Sequence, residues 1–214
     1  MKRFIHRFLF LLILIPVVIL AACSNQTEAR EDGKIYIVTT IAQIGEPLSV
    51  IGGEYVHVES LMGPSVDPHL YNATHGDIET ISSADIIFYN GLTLEVNMFE
   101  IFEEIGEVKP VLAIAETVPE EELLYDENGA VDPHIWFDVD LWMTALDGAM
   151  EVIKEFDPEH ADYYEENKQE YFAQLEELKK EAELLQQIPK ERRILVTAHD
   201  AFGYFGRMHD MEVV

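Results

Sequence analysis

From residue 34 to residue 115 the chain alternates short β-branched runs with longer amphipathic segments. Ile35–Thr40 (IYIVTT) is a run suited to a buried strand. A helical pattern follows to about Ile51, with Pro47 as an expected irregularity and Gly52-Gly53 as its stop. Tyr55–Met62 predicts a second strand. Thr74-His-Gly-Asp77 has the form of a helix-start capping box, with an acidic side chain three residues after the cap. DIIFYN at 85–90 predicts a third strand closed by Gly91, 94–105 a helix, and 110–115 a fourth strand. Strands alternating with helices predict an α/β fold with a parallel sheet and flanking helices, and on such sheets ligands sit beyond the carboxyl ends of the strands.

Residues 116–130 (ETVPEEELLYDENGA) form an acidic segment without periodicity, read as a solvated loop, and 140–156 predicts a helix. The longest helical pattern covers 158–188. Tyr164, Tyr171, Leu175, Leu178, Ala182 and Leu185 share one face, with Glu and Lys over the rest. Such a helix would span roughly 45 Å at 1.5 Å per residue, long for a small domain, and a coiled coil is the competing reading. Pro189 stops it, and 194–198 (ILVTA) predicts a strand that runs into His199.

The N-terminus stands apart. Lys2, Arg3 and Arg7 precede an apolar run from Phe8 to Ala22, too short for a membrane span of roughly 20 residues but suited to a signal peptide. The run ends in Leu20-Ala21-Ala22-Cys23, which resembles a bacterial lipobox with Cys23 as the lipidated first mature residue. Cys23 is the only cysteine, so no intramolecular disulfide can form. The expected organisation is a signal peptide at 1–22, a polar flexible tether at 23–33, an α/β lobe at 34–157, a long linking helix at 158–188 and the start of a second α/β lobe at 189–214.

Charge narrows the partners. The chain has 41 acidic and 14 basic residues, a formal net charge of −27. Nucleic acid is excluded, because binding it needs Lys and Arg to displace counterions. A strong negative field instead raises the local concentration of cations.

The candidate chemistry lies in a repeat. VDPH occurs at 66–69 and again at 131–134. Proline fixes its own φ and holds the preceding residue extended, so each copy presents an imidazole from a stiff loop. A third histidine, His199, stands in TAHDAFGYFGR at 197–207. Imidazole is a favoured ligand of zinc and similar transition ions. His6 belongs to the signal, and His57, His75, His160 and His209 are read as structural.

Together, VDPHLYNATHGD, DPHIWFD and TAHDAFGYFG resemble the manganese- and zinc-binding lipoproteins of bacterial ABC importers, the TroA-like solute-binding family. The resemblance implies two α/β lobes joined by a rigid helix with the ion between them, His69, His134 and His199 as metal ligands, and no enzymatic step. It also implies Mn2+ or Zn2+ as the transported ligand, ABC permease membrane subunits as partners, a lipid anchor on the extracytoplasmic face of the cell membrane, and a monomer. Members run about one hundred residues longer, on usual domain sizes, and supply a fourth ligand, usually an Asp. The expectation is therefore a truncated product or fragment that binds metal more weakly than a complete member. Three histidines lean toward zinc, whereas the absence of a His-rich loop leans toward manganese. Two other functions remain open at this point. A zinc hydrolase would use three histidines and an open fourth position, although no HExxH pairing is present. A surface adhesin has no discriminating feature.

Overall fold

A computed structural model describes residues 33–214. The apolar run, the lipobox with Cys23 and most of the tether lie outside the described residues. Four parallel strands make the main sheet: β1 (Ile35–Ile41), β2 (Val56–Met62), β3 (Ile86–Tyr89) and β4 (Val111–Ala113), in the order β2-β1-β3-β4. In register, Ile37 pairs with Val58 on one side and Ile86 on the other. All seven residues of β1 are buried, as a central parallel strand covered on both faces requires.

Helix α1 (Ala42–Gly52) joins β1 to β2, burying Ile44, Leu48 and Ile51 at spacings of four and three. Pro47 does not interrupt it. Gly53 ends it with φ 55°, and a Cβ there would meet Tyr163 Oη at 2.3 Å, so glycine is needed both for the backbone and for the contact. Helix α2 (His75–Ser83) starts on the predicted box: Asp77 N–H donates to Thr74 Oγ1 at 3.3 Å, and Thr74 N–H donates to Asp77 Oδ2 at 2.6 Å.

Several boundaries differ from expectation, each for a local reason. The helix predicted over 94–105 begins only at Phe99 and forms α3 (Phe99–Gly106). Before it, Leu92 and Thr93 have φ of 50° and 67°, and Glu95 turns inward to accept three hydrogen bonds. Its Oε1 takes Thr40 Oγ1–H at 2.6 Å and Asn90 N–H at 2.8 Å, and its Oε2 takes Gly91 N–H at 3.1 Å. That carboxylate therefore joins the carboxyl ends of β1 and β3, where the strand order reverses. The fourth strand is three residues long, because a 3-10 turn at Ile114–Thr117 takes over.

Helix α4 (Val139–Phe156) is capped by Asp138, whose Oδ1 accepts from the N–H groups of Asp140 and Leu141. The long helix is shorter than predicted: α5 is Ala161–Ala182, followed by a 3-10 segment at Glu183–Gln187. Its 22 residues span about 33 Å. It is not a coiled-coil strand. It packs on α1 and α4 of its own chain, with Tyr164 fully buried and Tyr171, Phe172 and Leu175 against the core. Lys168 Nζ bridges Asp147 of α4 (2.5 Å) and Glu165 (2.8 Å). Lys168 and Lys154 hold the Glu165 carboxyl down to about 2.

Beyond Pro189, strand β5 covers only Ile194–Leu195, where a five-residue strand was expected, and pairs parallel with β6 (Glu212–Val213). Between them lies α6 (Gly203–His209), whose Tyr204 is buried in the same hydrophobic core as the main sheet.

Burial of Glu95 raises its carboxyl pKa, with the three donors offsetting only part of the shift. A raised folded-state value stabilises the fold fully below the unfolded pKa, and that stabilisation is lost as pH rises through the folded value. Denaturant unfolding of the wild type and Glu95→Gln at pH 5 and pH 8 should show the difference shifting in favour of wild type at the lower pH. Glu95→Ala orphans buried donors at about 1–3 kcal/mol each and should lower the unfolding midpoint at both.

Candidate metal centre

The two VDPH copies fold alike. In each, the Asp side chain accepts the backbone N–H of the His two residues on, Asp67 Oδ1 from His69 and Asp132 Oδ1 from His134, both at 3.0 Å. This is an Asx turn, in which a carboxylate stands in for a backbone acceptor. Sequence reasoning credited the proline with the stiffness and missed the Asp; its repetition two residues before each histidine was the available signal.

The copies differ in what surrounds the ring. His134 is buried, and its Nδ1 lies 2.7 Å from Asp132 Oδ1. A carboxylate there fixes the Nδ1–H tautomer and leaves Nε2 with a free lone pair. Asn90, at the end of β3, donates from Nδ2 to the carbonyl of Pro133 at 3.0 Å, which ties this turn to the sheet. Trp136 meets the ring edge to face, with centroids 5.2 Å apart. His69, half-buried, follows the carboxyl end of β2. His199, exposed, lies in an irregular stretch between β5 and α6, not at the immediate end of a strand as expected.

From these three separate segments the imidazoles converge. His69 Nε2 is 3.1 Å and His199 Nε2 is 3.3 Å from His134 Nε2. One ligand-capable atom from each of the three lies within 4.8 Å of the others, and this is the group of that kind among the described residues. With ligand bonds of roughly 2.0–2.1 Å, neighbouring donors on a tetrahedral ion stand about 3.3–3.4 Å apart. The two separations fall close to that edge. His134 Nε2 faces two ring nitrogens with one lone pair, so only one of them can donate to it at a time. Burial lowers the His69 pKa, and the neighbouring His134 lowers it further. The ring thus stays neutral, the form that binds metal, to a lower pH than a free imidazole.

The other histidines stand elsewhere. His57 stacks on Tyr36, His75 pairs with Glu79 at the surface, and the His160 ring bonds Asp157 and stacks on Tyr55. His209 packs on Phe205. The three converging rings open onto a cleft of about 830 Å3 with Ile41, Met62, Val66, Trp136 and Phe202 on its walls.

A family model described as "Zinc-uptake complex component A periplasmic" matches residues 37–214. The zinc-binding protein TroA of Treponema pallidum is 43% identical over 190 residues, which is 87% of this chain and 61% of that protein. The manganese-binding lipoprotein MntA of Bacillus subtilis is 40% identical over 91% of this chain and 64% of its own length. The solved structure of the periplasmic zinc-binding protein TroA from Treponema pallidum superposes with a TM-score of 0.83, covering 85% of this chain and 66% of that one. The chain thus spans a little under two thirds of the length of the two curated relatives.

Nitrogen-15 correlation spectra of the metal-free chain should show His134 as the Nδ1–H tautomer. In Asp132→Asn, which weakens the acceptor, the two tautomers should mix; a wild-type Nε2–H signal would contradict the assigned bond.

Proposed function

The chain belongs to the zinc-uptake complex component A family, and on that premise we propose that it captures Mn2+ or Zn2+ outside the cytoplasmic membrane and passes it to the permease of an ABC importer. The observation that carries the reading is the approach of His69 Nε2 and His199 Nε2 to 3.1 and 3.3 Å from His134 Nε2. His69, His134 and His199 are the proposed ligands. Three neutral nitrogen donors satisfy part of the coordination shell of either ion and leave room for a further oxygen donor or water. The ion is cargo: it is held and released, and no bond in it is made or broken. The relatives' names, those of zinc- and manganese-binding transport proteins, support this reading over the hydrolase and adhesin alternatives.

Zinc suits an all-nitrogen tetrahedral set, and manganese a richer oxygen set. Both metals stand in the names of similar proteins, so the proposal covers both. The division into a lobe at 34–157, a linking segment at 158–188 and the opening of a second lobe at 189–214 belongs to the same reading. So does lipidation at Cys23, supported by its lipobox context and by relatives named lipoproteins. Lipidation would keep the metal centre at the outer face of the membrane, where more than one acyl chain is needed for stable anchoring.

Calorimetry with Zn2+ and Mn2+ tests the site. His69→Ala, His134→Ala and His199→Ala should each weaken binding at least tenfold, a loss of about 1.4 kcal/mol or more, and exposed His75→Ala should not. Binding should also weaken as pH falls below the free-imidazole value of about 6.5, where protons compete for imidazole nitrogen. Wild-type affinity in the three variants would refute the site.

A further inference from the structure

Asp132, which holds the His134 ring, is met from behind by the segment that carries His199. The carbonyl of Asp132 accepts the Tyr204 hydroxyl at 2.9 Å, and the same hydroxyl oxygen accepts Leu124 N–H at 3.1 Å. Tyr204 is fully buried. Its neighbour Gly203 lies against the Asp132 carboxylate, where a Cβ would come within 2.8 Å of Oδ2. Two consecutive residues of α6 thus touch the two polar ends of one aspartate, four and five residues after the third histidine.

What precedes His199 is a weaker anchor. Strand β5 has two residues and pairs only with β6. The carbonyl of His199 accepts from Thr197 Oγ1 (2.9 Å) and Ala201 N–H (3.0 Å), both bonds local to the loop. The bonds that span to the His134 side come after it. Besides Tyr204, Arg207 donates to the Glu122 carbonyl at 2.7 Å and to Asp138 Oδ2 at 3.1 Å.

We infer that Tyr204 is a positioning residue for metal binding, whose hydroxyl registers the His199 segment against Asp132 and so sets the His199 ring relative to the His134 ring. The inference rests on the reading of the three histidines as ligands. Asp132 is one rigid joint for two of them: its side chain orients His134, and its main chain locates the segment bearing His199. A loosened joint leaves each imidazole intact but widens the spread of their separation, and a small ion is sensitive to that spread. Tyr204 is not among the residues that line the cleft, so its effect would reach the ion through His134 and His199, on affinity and coordination geometry together.

Co2+ is the probe, because its visible d–d absorption reports coordination geometry. The full chain, purified in detergent, is titrated as wild type, Tyr204→Phe, Gly203→Ala, His134→Ala and Tyr164→Phe. Tyr204→Phe removes one hydroxyl and keeps the ring under Arg207, 5.2 Å from its centroid. Tyr164→Phe is the control, losing a buried hydroxyl bonded to Asp157 at 2.7 Å, on an element outside the cleft. We expect Tyr204→Phe to weaken Co2+ binding about 10- to 100-fold, the usual effect of losing a partner one shell out from the metal, with an altered d–d envelope. Its metal-free unfolding midpoint should fall no further than that of Tyr164→Phe. Gly203→Ala should displace the Asp132 carboxylate and weaken binding from the other side. Wild-type affinity and spectrum in Tyr204→Phe would overturn the inference, as would an equal loss in Tyr164→Phe. If His134→Ala binds Co2+ as the wild type does, the ligand assignment itself falls, and the inference with it.

Discussion

Two imidazole nitrogens held 3.1 and 3.3 Å from a third set a constraint that the surrounding structure is arranged to meet. The central nitrogen has one lone pair, so the cluster is not fully satisfied by its own hydrogen bonds. Here each backbone approach is fixed before the side chain begins, by Asx turns at His69 and His134 and by a hydrogen-bonded loop at His199. The ring at the centre is also the buried one, and it alone of the three has a carboxylate on its Nδ1. The geometry is built from the middle outward.

That middle is tied to the sheet through buried polar contacts. Glu95 joins the ends of β1 and β3, and Asn90 extends the connection from β3 to Pro133, one residue before His134. Asn90 Oδ1 is buried without a protein partner. Buried polar networks are costly when incomplete, and they specify one arrangement when most members are satisfied. This one lies at the strand-order reversal, where a parallel sheet leaves a crevice between diverging connections.

The negative balance of the chain acts at longer range. Much of the acidic charge is solvent-exposed, as on the Glu120–Glu122 turn and along α5. At physiological ionic strength its field fades over about 8 Å. It can raise the local concentration of cations but cannot choose among them. On the proposed reading, choice falls to the three histidine nitrogens, whose 3.1 and 3.3 Å separations are near those of a tetrahedral shell.

The sheet and most helices were legible in the sequence because their determinants are local. IYIVTT and DIIFYN lie where strands form, Gly53 stops the helix it was expected to stop, and Thr74–Asp77 caps as its spacing required. Boundaries failed where a side chain had a distant obligation. Leu94–Met98 has a helical pattern, but Glu95 bonds Thr40 across the sheet, and the helix waits until Phe99. The 158–188 pattern overran at both ends because periodicity records which face is apolar and not where the backbone bonds lapse. For the site, the repeated VDPH and the third motif singled out the three histidines, since turn chemistry and residue type are written locally. Their separation, the choice of His134 as the buried centre, and the second use of Asp132 as a partner for its own histidine's ring and for Tyr204, 72 residues away, were decided by tertiary structure. Sequence spacing carries no distance between segments 65 residues apart; tertiary contacts such as those of α6 with the Ile135–Phe137 turn bring those nitrogens to a common point.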